Sequence, residues 1–365
     1  MMTTATTSST GLVVSPSPTP TGTTTTSPTL AGMTAISSNF DINRELVTVG
    51  SIPRSASPDV VGAFRFLCMP GQISYDDPII YPGKPGAAHL HQFFGNTKAN
   101  AYSTYSSLRG AGDSTCMSPL NRSAYWMPAM LDGKGKVVRP DYVSIYYKRR
   151  PKSSPKCQGL GGTAQGLGIC VDTPNGIKFV FGFDPTNPQA APTGAAYFTC
   201  SGTGAVAGKW KTITEAVGKC PVGARLGAVI NAPKCWDGKN LDTPNHRSHM
   251  AYVSYGSWGY ERCPTTHPYV VPTFTMGAWF TVDANLKTWY LSSDHMLPGA
   301  LPGQTFHADF FMAWDPTVKK IWHENCIDKL LNCSDGELGN GKAIHQTWPK
   351  SFNASPRLVA VPPHA

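Results

Sequence analysis

The sequence has 365 residues, of which 36 are glycine, 32 are proline and only 15% are charged. This composition, without long stretches rich in Ala, Leu, Glu and Lys, indicates a mainly β protein of short strands and many turns. No run of about 18 or more apolar residues occurs, so we expect no membrane span. The net charge of +9 favours acidic partners or surfaces, but it is spread along the chain apart from a dense run at 146–156, and we expect no nucleic-acid partner.

Residues 1–40 differ from the rest of the chain because they are rich in Ser, Thr and Pro. Such a tract is too polar to pack, so we expect a disordered leader or stalk. It has no basic amino-terminal region and only a three-residue apolar core, so it is not a secretory signal as it stands. Residues 41–365 are predicted to form a single β-rich domain, since their number is within the range of one large domain.

Short apolar or aromatic runs, separated by Pro or Gly, continue through this domain, and each is typical of a strand. Their spacing resembles a sandwich or barrel more than alternating βαβ units. We therefore predict a sandwich or barrel-like domain with long disulfide-stapled loops and few short helices, the helix candidates lying near 210–220 and 318–332. In chain order the predicted strands are AFRFLCM (63–69), YVSIYYK (142–148), IKFVFGF (177–183), FTMGAWFTV (274–282), TWYLSS (288–293) and FHADFFMAW (306–314).

The ten cysteines include no CxxC pair, which argues against zinc ribbons and thioredoxin-like redox motifs. Their even number suits five disulfides, which implies an oxidising compartment and an extracellular or cell-wall location. Short separations favour the pairs Cys157–Cys170, Cys220–Cys235 and Cys326–Cys333. The chain is also a glycoprotein candidate, with sequons at Asn121, Asn332 and Asn353.

Two histidines one residue apart precede an aromatic pair in HLHQFFGNT, residues 89–97. If this segment is extended, His89 and His91 lie on one face with their Cβ atoms about 7 Å apart, close enough to share a ligand or a metal. The same alternation places His307 and Asp309 on one strand face in FHADFF. The spacing of both pairs therefore predicts side chains that act together.

A third pair lies in HRSHMAY, where His246 and His249 are three residues apart and align only on a helical turn. If the clusters converge, they form a cleft that holds either a metal with an open position or an acid, a base and their orienting partners. Each histidine could instead anchor a loop. Zinc, copper and no metal all remain open, since HxH is a weak signal and neither HExxH nor a cysteine–histidine signature occurs. The candidate metal ligands are His89, His91, His246 and His307.

Carboxylates offer a second chemistry, because glycoside hydrolysis needs two of them at a set separation. Asp76 and Asp77 in YDDP are among the acidic residues in unusual settings, although Asp before Pro commonly accepts local hydrogen bonds in a turn. The candidate catalytic residues are Asp237, Asp309, Asp294 and His249. Aromatic residues could supply platforms for sugar rings, although most aromatic residues in a protein are core. The candidate substrate-binding residues are Trp126, Trp236, Asp242 and Tyr252.

Five motifs occur in a fixed order: DDPIIYPGKPGAAHLHQFFGNT, SAYWMPAM, PKCWDGKNLDTPNHRSHMAY, ERCPTTHPYVVP and FHADFFMAWD. With these motifs, residues 64–326 resemble the domain-of-unknown-function family 1996. The resemblance implies an extracellular setting, since members are secreted fungal proteins, some with wall-binding modules, and bacterial proteins. It also implies a link to polysaccharide or cell walls, but no established reaction or catalytic residues.

We therefore expect a secreted protein that acts on polysaccharide or cell-wall glycan, with hydrolysis as the leading reaction and a cleft lined by His and Asp side chains. In that case Asp237 or Asp309 would act as acid or nucleophile, and the histidines would orient substrate or hold a metal. One alternative is a carbohydrate-binding or wall-associated structural protein without catalysis. Another is a copper or zinc enzyme that does not rely on carboxylate catalysis.

Overall fold

In the computed structural model the chain divides at Leu30, and residues 31–365 form the larger of two units. The larger unit begins before the expected boundary at residue 40. Its first residues are hydrogen-bonded to the rest of the unit, since Arg109 donates from Nε to the Ile36 carbonyl at 3.0 Å. Within the described ranges, no helix has the length and apolar character needed to cross a bilayer. The structure describes residues 1–2, 29–161, 165–191, 195–255, 259–344 and 356–364.

Strands dominate the larger unit, which confirms the mainly β prediction. The first strands are β1 Val47–Thr48, β2 Gly62–Cys68, β3 Ile73–Ser74, β4 His91–Gly95, β5 Ala124–Pro128, β6 Met130–Leu131, β7 Lys136–Val138, β8 Tyr142–Arg149, β9 Gln158–Gly161, β10 Gly166–Cys170, β11 Lys178–Gly182 and β12 Ala195–Ser201. They are followed by β13 Arg225–Asn231, β14 Cys235–Trp236, β15 Met250–Ala251, β16 Ser254–Tyr255, β17 Glu261–Arg262, β18 Tyr269–Val270, β19 Thr273–Thr281, β20 Tyr290–Leu291, β21 His307–Phe311, β22 Lys342–Ala343 and β23 Leu358–Ala360. Each predicted strand run overlaps one of these strands.

Three short α-helices occur in the described residues: α1 Tyr105–Gly110, α2 Ile213–Ala216 and α3 Pro316–Trp322. Both helix candidates are confirmed, although only one turn of the first is helical and α3 continues as a π-helical turn, His323–Ile327. The start of α3 is encoded locally, because Asp315 accepts from the Thr317 and Val318 N–H groups and proline occupies the first turn. The described ranges also contain 3₁₀ turns at Ile42–Arg44, Pro155–Cys157, Leu286–Thr288 and Asp294–Met296.

Two five-stranded antiparallel sheets form the body of the larger unit. Sheet A has the strand order β12-β13-β19-β8-β2, and sheet B has the order β11-β21-β5-β4-β3. Their facing sides share an aromatic core, in which Phe274 of sheet A stacks on Phe310 of sheet B with ring centroids 4.7 Å apart. Tyr125 of sheet B stacks on both rings at 5.4 and 5.5 Å. This packing confirms the sandwich prediction.

The outward face of sheet B is covered as well. Phe93 and Trp126 project from β4 and β5 into a second buried cluster, where they meet Tyr105 and Leu108 of α1 and Ile79 of the preceding loop. A four-stranded sheet, β20-β6-β7-β23, and a five-stranded sheet, β15-β14-β18-β10-β9, complete the larger structure, with the pairs β1–β22 and β16–β17. Side chains on the outward face of sheet B are therefore enclosed rather than open to solvent.

All ten cysteines form disulfides, as an oxidising compartment allows. The predicted pairs Cys157–Cys170 and Cys326–Cys333 are confirmed, whereas the predicted pair Cys220–Cys235 is wrong. The seven residues of β13 lie between Cys220 and Cys235, and an extended strand of that length holds its ends about 20 Å apart. The other three disulfides are Cys68–Cys116, Cys200–Cys220 and Cys235–Cys263.

Candidate functional site

Three histidines converge where the outward face of sheet B meets the loop before β4. His91 and His307 are the first residues of β4 and β21, the two strands that flank β5, and His89 lies two residues before β4. Register aligns them, because His91 pairs with Pro128 while Asp309 pairs with Trp126, two residues earlier on β5. His307 therefore lies level with His91 on the same face of the sheet.

The three imidazole rings lie close together. Ring centroids are separated by 4.1 Å between His89 and His91, 5.0 Å between His89 and His307, and 6.2 Å between His91 and His307. One side-chain donor atom from each residue lies within 4.8 Å of those of the other two. Donor atoms around a tetrahedral zinc ion are about 3.3 Å apart, so a modest closing of the rings would complete such a site.

Hydrogen bonds to backbone carbonyls fix which ring nitrogen faces the cluster. The Nδ1 atom of His91 bonds the Asp76 carbonyl at 3.0 Å, and Nδ1 of His307 bonds the Thr305 carbonyl at 2.9 Å. A carbonyl only accepts, so Nδ1 donates in both rings and Nε2 keeps its lone pair. The Nε2 atoms of His89, His91 and His307 are buried and have no hydrogen-bond partner in the described structure. A carbonyl on one nitrogen and an available lone pair on the other is how metal-binding histidines are oriented.

Two carboxylates adjoin the histidines. Asp77, His91 and Asp309 form a second group whose donor atoms lie within 4.8 Å of one another. Asp77 has one oxygen, Oδ1, occupied by the N–H groups of Ile79 and Ile80 at 2.8 and 2.9 Å. Both carboxyl oxygens of Asp309 are buried, and neither has a hydrogen-bond partner in the part of the chain that the structure describes. The donor set is therefore three imidazoles and two carboxylates arranged around His91.

Burial controls the protonation of these groups. Desolvation lowers the pKa of His307 to about 3 and lowers the pKa of His91, while the pKa of His89 falls well below its ordinary value for the same reason and because of the neighbouring histidines. The imidazoles are thus neutral at neutral pH, the form that ligates metals. Desolvation, with the charge of Asp77, raises the pKa of Asp309 well above its ordinary value.

A cavity of about 400 Å³ opens beside this cluster. His89 and Asp77 belong to its wall, so the cluster can be reached from the cavity through these two side chains. Aromatic rings contribute to the rest of the wall, where Tyr75 packs against His364 with ring centroids 4.3 Å apart. The polar and aromatic side chains of the wall are Tyr75, Asp77, Tyr81, His89, Ser292, His295 and His364.

The segment HRSHMAY contributes neither of its histidines to the cluster. His246 has a positive φ of 55° and bonds the Oδ1 atom of Asp242 through Nδ1 at 2.8 Å, so it does not lie in a helical turn with His249. His249 uses both ring nitrogens, bonding Thr243 Oγ1 at 3.1 Å and the Lys178 carbonyl at 3.0 Å. Burial lowers the pKa of His249 to about 4. These contacts fasten the loop to β11.

Arg247 is the residue of this segment that adjoins the cluster, and its positive charge acts on both His307 and Asp309. Its Nη1 donates to the Gly182 carbonyl at 3.2 Å, and its Nε lies 3.5 Å from Asp184. Sequence reasoning missed Arg247, although it stands between two histidines that were singled out. It treated Asp77 mainly as a turn residue, and Asp77 does cap the turn after YDDP while it faces the cavity.

Two of the candidate catalytic carboxylates lie outside the two metal-competent groups found in the described residues. Asp237 accepts from the Lys239 and Asn240 N–H groups at 2.8 and 2.9 Å in a turn. Asp294 accepts from Leu291, Gly303 and Thr305, and its bond to Thr305 Oγ1 measures 2.7 Å. Because the Thr305 carbonyl receives the Nδ1 proton of His307, Asp294 supports the position of that ligand.

The candidate substrate-binding aromatics are engaged in packing and hydrogen bonds. Trp126 is fully buried and stacks on Phe93 with centroids 5.2 Å apart. Trp236 is also buried and donates from Nε1 to the Asn240 carbonyl. Tyr252 donates its hydroxyl to the Asn231 carbonyl at 2.8 Å. Neither buried indole offers a ring face to solvent. Asp242 pairs with Lys178 at 3.2 Å as well as with His246.

A protein-family model described as a domain of unknown function, DUF1996, matches residues 77–314. The match begins at Asp77, and it includes His89, His91, His307 and Asp309. No curated protein and no solved structure gives a significant match.

Proposed function

The chain belongs to the DUF1996 family, whose description names no reaction, and we propose from the geometry of its site that it is a secreted metal-dependent hydrolase. One observation carries the proposal: the Nε2 atoms of His89, His91 and His307 are buried without a hydrogen-bond partner among the described residues, and the three side chains place one possible ligand atom each within 4.8 Å of the others. A buried polar atom without a hydrogen bond costs about 1–3 kcal/mol, and a metal ion compensates all three at once.

Zinc is the ion that we assign. Neutral imidazole suits Zn, Cu, Fe and Ni, and three protein ligands with one open position are typical of catalytic zinc. His89, His91 and His307 would be the ligands, and the buried carboxyl of Asp309, which the nearby cation would favour in its ionised form, would offset part of the ion's charge. The side of His89 that lines the cavity leaves an approach for water and substrate.

The roles of the cavity residues follow from their contacts. A zinc ion in this position would lower the pKa of a bound water to about 7 and so supply a nucleophile at neutral pH. Asp77 lines the cavity with its Oδ1 fixed by two backbone N–H groups, which orients its other oxygen for accepting a proton. The positive charge of Arg247 acts on both His307 and Asp309.

The substrate that we propose is a glycan, of polysaccharide or cell-wall origin. Tyr75 and Tyr81 present aromatic surface beside the polar groups of the cavity, a combination that suits a sugar ring with its apolar faces and hydroxyl edges. Five disulfides support an extracellular or wall location, where such polymers occur.

Metal analysis of the purified protein tests the proposal directly. After incubation with excess ZnCl₂ and desalting, we expect about one equivalent of zinc per chain. His91→Ala and His89→Ala should each retain much less, and the cavity-facing His89 variant remains informative if the buried His91 variant folds poorly. The matched control is His246→Asn, since Asn tolerates the positive φ at this position and His246 lies outside the cluster. Less than about 0.2 equivalents in wild type, or equal loading of all variants, would refute the metal site.

A metal-free glycosidase is the second candidate, because Asp77 and Asp309 place carboxyl oxygens within 4.8 Å of each other. Two carboxyl groups about 5 Å apart are the arrangement of retaining glycosidases. Against it, Asp309 does not line the cavity. The two candidates separate on chelation: glycan hydrolysis that survives dialysis against a chelator but is lost in Asp77→Asn would favour the carboxylate pair over the metal.

A further inference from the structure

The outward face of sheet A carries a groove that lies on the opposite side of the sandwich from the proposed metal site. Alternation along β8 buries Val143, Ile145 and Tyr147 against sheet B and turns Ser144, Tyr146 and Lys148 outward. The outward side chains of β8, β19, β13 and β12 line a cavity of about 580 Å³. This groove is not used by the proposed hydrolase, so what it binds is a separate question.

Small side chains form the floor of the groove. Register places Ser144, Gly277 and Val229 next to one another on three strands, and Tyr197 on the fourth strand ends this row. A Cβ at Gly277 would lie 3.0 Å from Ser144 Oγ and 3.2 Å from Trp279 Nε1. The absence of a side chain at Gly277 therefore leaves room for the hydrogen-bonded Ser144 and Trp279 and adds nothing above the sheet at this position. The floor of the groove is therefore flat, and the aromatic rings around it project farther from the sheet.

Three half-buried aromatic rings surround this floor: Tyr146, Tyr197 and Trp279. Trp279 is oriented by a hydrogen bond from Nε1 to Ser144 Oγ at 3.1 Å. The backbone spacings of the sheet put Tyr146 and Tyr197 about 16 Å apart, on different strands and in different rows. Rings that are fixed, partly exposed and spread over this length can stack on several units of one chain.

Basic side chains lie close to the rings of Tyr146 and Tyr197. The Lys209 Nζ atom lies 4.5 Å from the Tyr197 ring centroid, Lys148 Nζ lies 5.2 Å from that of Tyr146, and the Arg65 guanidinium lies 5.4 Å from the same ring. No Asp or Glu is among the described residues that line the groove. Its surface is therefore aromatic and positively charged, which is complementary to a flat, anionic ligand.

We propose that this groove binds an anionic polysaccharide, whose uronate-type carboxylates pair with Lys148 and Lys209 while its sugar rings stack on Tyr146, Tyr197 and Trp279. The hydroxyl and amide groups of Thr199, Asn231 and Thr275 provide partners for sugar hydroxyls, and Thr275 already orients Asn231 by a 2.7 Å hydrogen bond. Aromatic and basic side chains also suit single-stranded nucleic acid. The disulfides favour the polysaccharide, because they indicate an oxidising compartment in which glycans are the abundant polyanions.

Calorimetric titration of the purified protein with hexagalacturonate tests the proposal, with its fully methyl-esterified form, cellohexaose and oligodeoxythymidylate as comparison ligands. We expect hexagalacturonate to bind best and its binding to weaken as salt is added. Tyr197→Ala should weaken it about tenfold and Lys209→Gln about fivefold. Tyr255→Ala and Lys239→Gln remove the same side-chain types from exposed positions outside the groove and should leave it unchanged.

Equal binding of the neutral oligosaccharides, full binding by both groove variants, or preferential binding of oligodeoxythymidylate would each overturn the proposal. A chelator separates this result from the metal proposal: hexagalacturonate binding should persist after metal removal and in His89→Ala. If wild type binds hexagalacturonate but no zinc, only the hydrolase proposal is refuted. If it binds zinc but no hexagalacturonate, only the groove proposal is refuted.

Discussion

His323 is expected to make the folded protein lose stability in acid. The side chain is fully buried, its Nδ1 donates to the Lys319 carbonyl at 2.8 Å, and its Nε2 accepts from the Thr173 N–H at 3.1 Å. Only the neutral ring can make both bonds, since a protonated Nε2 no longer accepts. Desolvation lowers the pKa of His323 from 6.5 to about 3, although Asp172, 4.0 Å from Nε2, acts in the opposite direction.

The sign and size of the effect follow from this shift. Above pH 6.5 the ring is neutral in both states, so its contribution to stability is complete there. Between 6.5 and about 3 only the unfolded chain binds the proton, and the free energy of unfolding falls by about 1.4 kcal/mol for each pH unit. At about pH 4.5 His323 alone has therefore removed about 2.7 kcal/mol relative to about pH 7.5.

Urea unfolding at these two pH values measures the difference. The glutamine of His323→Gln is neutral at both pH values. Wild type should therefore lose about 2.7 kcal/mol more of its free energy of unfolding than this variant between about pH 7.5 and about pH 4.5. His267→Gln, which replaces a partly exposed histidine, is the control and should follow wild type. The reasoning is refuted if wild type and His323→Gln lose equal stability on acidification, because the buried ring would then be protonated in the folded state.

Three further predictions concern the site and its support. Zinc at about a hundred times its dissociation constant should raise the free energy of unfolding by about 2.7 kcal/mol, seen as a higher Tm that His91→Ala does not show. Asp294→Asn should weaken zinc binding about tenfold, measured by competition with a chelating dye, because Asp294 hydrogen-bonds Thr305, whose carbonyl accepts from Nδ1 of the proposed ligand His307. Trp126→Ala should cost about 3–5 kcal/mol in urea unfolding, because the indole is fully buried against Phe93.

The sequence was most informative where a periodic pattern matched a long element. Runs such as YVSIYYK and FTMGAWFTV became β8 and β19, the long strands at the middle of sheet A, because alternating β-branched and aromatic residues fit a half-buried pleated surface. The same period of two placed His89 near His91 and aligned His307 with Asp309. The order of the strands within each sheet could not be predicted from the sequence, because strand pairing depends on contacts between residues far apart in the chain.

Local spacing misled where turn chemistry controlled the backbone. His246 and His249 required a helical turn to act together, but the ion pair of His246 with Asp242 and its left-handed backbone hold the segment as a loop. Cys220 and Cys235 were close in sequence, yet a whole strand separates them. Arg247 had no motif of its own, and only the folded loop reveals that its charge reaches the cluster.

Asp309 and Asp315 provide the sharpest contrast between a functional and a structural buried carboxylate. Both are almost inaccessible to solvent. Asp315 caps α3 and pairs with Arg109 at 3.2 Å, whereas the carboxyl group of Asp309, in register with Trp126 and Val180, has no hydrogen-bond partner among the described residues. A buried polar group without partners destabilises a fold, and natural sequences retain one mainly where function requires it.

Replacing each aspartate by leucine should therefore give opposite results in chelator-treated protein. Asp309→Leu should raise the free energy of unfolding by about 1–3 kcal/mol, because an apolar side chain of similar size removes an unsatisfied carboxyl group, and it should weaken zinc binding. Asp315→Leu should lower the free energy of unfolding by about 3–5 kcal/mol, because it leaves the Arg109 charge buried and uncaps α3. If both variants were destabilised alike, the carboxyl of Asp309 would have to be satisfied within the fold itself, and its place beside a metal would lose its physical basis.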